Sequence, residues 1–107
     1  MENKILLEEK LYEQLKEKFT NPCEPEIIKK VYSELYTIRE VCVGKCTLFD
    51  LVRIYYRHFE SVDKTKKVFI VIAQFDSSQF PKMQSCFPNA YEAKEFFNSL
   101  KKEFCEI

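Results

Sequence analysis

Glycine is nearly absent: Gly44 is the only one among 107 residues. That excludes the glycine-rich loops that cradle phosphates in nucleotide-binding proteins. Tryptophan is missing and His58 is the only histidine. A zinc site would need cysteines with that one imidazole, and a nucleophile–base–acid arrangement has one histidine to draw on. Net charge is absent as well, with 17 Lys and Arg against 17 Asp and Glu. No overall field therefore pulls the chain towards nucleic acid or anionic lipid. The longest apolar run, Val68–Ala73, is far too short to cross a bilayer, and the first residues lack a signal peptide's apolar stretch. These absences predict a cytoplasmic chain with no membrane contact, metal or cofactor, and no catalysis.

What is present is an ordinary globular profile: 46% hydrophobic and 32% charged residues. One domain covering residues 1–107 is long enough to bury a core without help from metals or cross-links. Five cysteines, Cys23, Cys42, Cys46, Cys86 and Cys105, form an odd set without a CxxC pair. An odd count argues against a disulfide framework, so reduced thiols acting as small hydrophobes are expected. Cys42 and Cys46 would lie side by side across a turn, which leaves a redox pair as the alternative. Lysine outnumbers arginine 14 to 3, a bias shared with proteins of AT-rich genomes, phages among them.

Hydrophobic spacing predicts a first helix over residues 3–19, with Leu7, Leu11, Leu15 and Phe19 on one face. After "TNPCEP", Pro25 suits the first turn of a second helix, whose buried stripe reads Ile28, Val31, Tyr32 and Leu35. Asn89 followed by Glu92 has the pattern of a capping box, and opens a last helix burying Ala93, Phe97, Leu100 and Phe104. The run "KKVFIVIAQF", residues 66–75, is β-branched and aromatic and reads as a strand.

The segment "CVGKCTLFDLVRIYYRH", residues 42–58, is ambiguous. Asp50, Arg53, Arg57 and Glu60 fall at helical spacing, but Val52, Ile54 and Tyr56 also alternate with Arg53, Tyr55 and Arg57. Backbone hydrogen bonding favours the strand, because residues 67–75 need a partner and 51–59 is the nearest long β-prone run. The rival partner, 83–87, is short and flanked by Pro81 and Pro88. Gly44-Lys45 would then form a two-residue hairpin turn, with a further strand at about 38–43. The expected class is α+β: two N-terminal helices, a three-stranded antiparallel meander and a C-terminal helix. The alternative is a mainly helical chain with an α-hairpin at 25–60 and a small β wing.

No catalytic constellation stands out. Cys46 or Cys86 with His58 is the nearest approach to a Cys–His pair. A meander instead places Arg53, Tyr55 and Arg57 on one face, and strand 67–75 is apolar on both. Three helices cover one face of so small a sheet; the other would meet the 77–88 loop, a second copy giving a homodimer, or a partner. Arg53, Tyr55, Arg57, Phe69 and Val71 are therefore the candidate contact residues for a protein partner, since arginine and aromatic side chains dominate interface energetics. A nucleic-acid-binding regulator using Arg53–His58 is the alternative, with tyrosines stacking on bases and arginines meeting phosphates. In size and composition the chain resembles phage-encoded or mobile-element inhibitors of host enzymes. That resemblance is one of class and rests on no motif.

Overall fold

The computed structural model describes residues 2–45, 52–76 and 79–105. In chain order these form α1 (Glu2–Lys18), α2 (Pro25–Val31), β1 (Tyr36–Lys45), β2 (Val52–Ser61), β3 (Lys67–Phe75), β4 (Met83–Phe87) and α3 (Ala90–Leu100). A π-helical turn, Lys101–Cys105, continues α3. The class is α+β. Its sheet is antiparallel in the order β1-β2-β3-β4, one strand wider than the meander expected from sequence. The fourth strand is the short 83–87 segment. A central strand has two edges to satisfy, and β2 supplies a partner for only one of them, so β4 pairs with β3 on the other.

Residues 52–61 are a strand, which sets aside the α-hairpin alternative. Gly44 and Lys45 are not a turn. They pair with Ile54 and Arg53 inside β1, and the connection to β2 falls on residues 46–51, outside those described. Gly44 has a different purpose: a Cβ there would stand 2.5 Å from Cγ of Lys101, whose side chain lies against it. The β2–β3 turn is built on Asp63. Its Oδ1 accepts from the Ser61 hydroxyl at 2.6 Å, the Thr65 hydroxyl at 2.7 Å and the Thr65 amide at 3.1 Å. Lys64 supplies the positive φ, 63°, that closes the turn.

Register separates the two faces of the sheet. Val52, Ile54, Tyr56 and His58 stand opposite Phe75, Ala73, Val71 and Phe69. This face carries the larger core, closed by Leu15 of α1 and by Ala93, Phe97 and Leu100 of α3, with Phe104 beyond. Phe80 and Phe87 pack here as well. The last helix begins as its sequence predicts, the Asn89 side chain accepting from the Glu92 amide at 2.8 Å.

The opposite face carries Phe59, Ile70 and Ile72, fully buried beneath Val31, Ile27 and Ile28 of α2. The 77–88 segment was expected to compete for this face, but α2 covers it. That helix is only seven residues long and ends at Val31. Tyr32 and Leu35, expected in its buried stripe, lie beyond its end and are exposed. A helix this short cannot hold itself together alone. It is fastened by a disulfide between Cys23, just before it, and Cys86 of β4. The expectation that all the cysteines are free thiols is thus corrected: the fold brings these two Cα atoms to 5.2 Å although they stand 63 positions apart in the chain.

Candidate protein-binding surface

β2 alternates, so Arg53, Tyr55 and Arg57 share the face on which α2 sits. The helix covers the part of that face over Phe59, Ile70 and Ile72, and the part over β1 stays open. Ile38 opposes Phe59, Val41 opposes Arg57 and Val43 opposes Tyr55, so all three aliphatic residues join this face. They are 53%, 46% and 45% exposed, and Tyr32 beside them is 48% exposed. Between Ile38 and Glu40 the register shifts, leaving Arg39 as the extra residue of a β-bulge.

The polar groups of the surface are organised by Arg57. Its guanidinium donates to Tyr32 Oη at 2.8 Å and lies 4.9 Å from the Tyr55 ring centroid. Tyr32 in turn stands edge-on to Phe59, the ring centroids 5.5 Å apart. The cation is therefore held between two tyrosines, one anchored in the core beneath. Arg53 and Arg57, two of the chain's three arginines, lie on this face, whereas the bulge puts Arg39 beside Glu40, opposite His58. The acidic residues of the same strands, Glu40 and Glu60, face the other way, as their partners His58 and Lys67 show. At the Tyr36–Ser61 end the surface runs into an open depression of about 360 Å³ lined by Lys30, Leu35, Val62 and Lys66 among others.

Of the five residues expected to make contact, the structure groups Arg53, Tyr55 and Arg57. Phe69 and Val71 lie on the opposite face, 7% and 0% exposed, inside the core closed by α1 and α3. They are not available to a partner. Tyr32, Ile38, Val41 and Val43 join the surface without being among the contact residues expected from sequence. For the two valines the signal was present, as an alternation around Cys42 in an edge strand; for Tyr32 the helical spacing of the preceding stripe pointed the wrong way.

On the α3 side of β1 and β2 lies a second group of titratable side chains. Glu40 is paired with Lys94 at 3.1 Å, and the Lys94 ammonium stands 5.5 Å from the Tyr56 ring centroid. The Tyr56 hydroxyl is buried, and among the described residues no acceptor lies within ordinary hydrogen-bond distance of it, the Glu40 carboxylate making only a weak approach. Burial first, then the Glu40 carboxylate and Cys42, push its pKa up to about 12. His58 stacks on Phe69 at 4.6 Å. Its pKa is lowered by burial and then by Lys67, with Arg39 adding a little, against the opposing pull of Glu60 and Glu40. Cys86 sits on the other face and is bonded to Cys23, so it forms no pair with His58. Cys42 is a half-buried free thiol; its suggested redox partner Cys46 falls outside the described residues.

Among the described residues no group of three or more His, Cys, Asp or Glu could hold a metal ion, and no helix is long and apolar enough to cross a membrane. No family model matches the chain, and neither the curated proteins nor the solved structures contain a match.

Proposed function

We propose that this chain is a non-catalytic protein-binding module whose contact surface is the open half of the second sheet face. The observation that carries the reading is the continuity of Ile38, Val41 and Val43 with Tyr55, Arg57 and Tyr32. Exposed aliphatic side chains next to arginine and tyrosine residues that are already held in place are the composition of an interface centre, because little side-chain entropy remains to be lost on binding. Nucleic acid fits the surface less well. The zero net charge supplies little of the phosphate neutralisation on which such affinity depends, and aliphatic residues offer bases no stacking face.

A module of this kind acts by occupying its partner, and inhibition of a host enzyme by a phage or mobile-element product is the regulatory role we propose. A cytoplasmic setting belongs to the same proposal, and it would expose the Cys23–Cys86 bond to cellular thiols. The test is capture from a lysate of the source cell, with and without nuclease, using the wild-type chain and the variants Tyr55→Ala and Arg57→Ala. The reading expects a stoichiometric protein that survives nuclease and is lost with either variant. Recovery of nucleic acid alone, or capture that ignores both substitutions, contradicts it.

A further inference from the structure

A disulfide exchanges only where a thiol reaches one of its sulfurs. Cys23 and Cys86 are both half-buried. Cys23 lies in the wall of an open groove of about 310 Å³ between α1, α2 and β4, and Cys86 does not line it. That volume is at the lower end of the range for small-molecule sites. The bond is therefore open to attack at Cys23, from this groove.

Charge specifies the reagent. Lys16 and Lys82 line the groove, and no carboxylate is among its described lining residues. Neither ammonium is paired with an acid among the described residues; Lys82 stands instead 5.9 Å from the Tyr32 ring centroid. Glu24, next to Cys23 in the chain, is exposed and lies outside the lining. Two unpaired cations on one concave surface raise the local concentration of anions, so an anionic thiol is favoured over a neutral or cationic one.

The bond also has a route to the contact surface. It holds the start of α2, whose first turn has no side-chain cap and whose last residue, Val31, is followed by Tyr32. The Tyr32 hydroxyl is the acceptor that holds Arg57, at 2.8 Å. A seven-residue helix does not persist without its fastening, and Tyr32 loses its support with it.

We infer that the Cys23–Cys86 bond is a redox latch, opened by a small anionic thiol entering this groove, and that opening it releases Tyr32 from Arg57. The reagent's thiolate attacks Cys23 Sγ, the bond to Cys86 Sγ breaks, and Cys86 leaves as a thiolate that takes a proton from water. A second thiol attacks the reagent's sulfur in the mixed disulfide and frees Cys23. The chain gains two electrons and two protons, and two reagent thiols become one disulfide. The latch goes beyond the protein-binding reading, on which only its consequence for a partner rests.

The probes are mercaptoacetate, 2-mercaptoethanol and cysteamine, which are anionic, neutral and cationic. Each is reacted with the intact chain and with an unstructured disulfide-linked peptide, and rates are compared per thiolate. Relative to the peptide, the chain should favour mercaptoacetate over cysteamine by about fivefold or more. Lys16→Gln combined with Lys82→Gln should remove that preference, and so should high salt on the wild-type chain. Mixed disulfides trapped by acid should map to Cys23. In the reduced chain the NMR signals of the Tyr32 ring and the Arg57 guanidinium should move to the positions of free side chains, while the β3 amides stay protected. A preference equal to the peptide's, or one indifferent to both lysines and salt, would overturn the inference. So would adducts on Cys86, reduction only on global unfolding, or a Tyr32–Arg57 contact that survives reduction. No readout involves a partner, so failure of the latch and failure of the protein-binding reading are separate results.

Discussion

Tyr56 shows how a single side chain can be large, buried and poorly satisfied at once. Its ring fills the core against Phe97, while among the described residues its hydroxyl has no partner within ordinary hydrogen-bond distance. Removing a buried, unpartnered hydroxyl relieves a desolvation cost, so Tyr56→Phe should leave thermal stability unchanged or raise it by about 1 kcal/mol. The pKa adds a signature. Because the folded value of about 12 lies above the ordinary 10.0, the contribution of Tyr56 is complete below pH 10 and is lost as pH climbs to 12. Denaturation midpoints measured across that window should fall in the wild type and flatten in the variant. An equal fall in both would contradict the assignment. Asp63 gives the opposite sign. The Ser61 hydroxyl first, then the Thr65 hydroxyl and amide, hold its pKa down to about 2. Its support of the β2–β3 turn is present above the ordinary carboxylate value and is lost as pH falls to 2. A carboxyl NMR titration of Asp63 with its midpoint near the usual value would refute the turn geometry.

Among the elements, α2 is the one most dependent on a single bond. Its first turn has no side-chain cap from Glu24, and its buried contacts are Val31 with the half-buried Ile27 and Ile28. The Cys23–Cys86 bond closes a loop of 63 residues, for which the chain-entropy relation gives about 4 kcal/mol of stabilisation. Replacing both cysteines by serine, or adding a thiol reductant, should lower stability by an amount of that order. It should also raise amide exchange in residues 25–31 far more than in β3. Equal protection before and after reduction would show that α2 holds without its fastening. β3 was legible as a β-branched and aromatic run of nine residues, and β2, whose spacing suits helix and strand alike, only as the partner that β3 requires. β4 was not: five residues between two prolines have no strand character until β3 offers its second edge. The disulfide was hidden for a related reason, since only the folded sheet brings residues 23 and 86 together.

For the whole molecule, the decisive feature is the unequal covering of the sheet. Two helices close one face, and one short helix closes half of the other. Alternation alone placed Arg53, Tyr55 and Arg57 together, and the fold keeps them so. Strand periodicity does not tell which side of β3 remains open, so Phe69 and Val71 read as surface residues in the sequence although α1 and α3 bury them. The exposed aliphatics of β1 emerge only once α2 is known to cover half of the second face and leave the part over β1 open. The central claim is that this open half-face binds protein. It is tested most directly by calorimetric titration of the captured partner against the wild-type chain and against Arg57→Ala, with the fold of both confirmed by circular dichroism. Arg57 is the cation clamped between Tyr32 and Tyr55, so the account predicts a Kd at least about tenfold weaker in the variant, as for an interface hot spot. Affinities equal within twofold would contradict it.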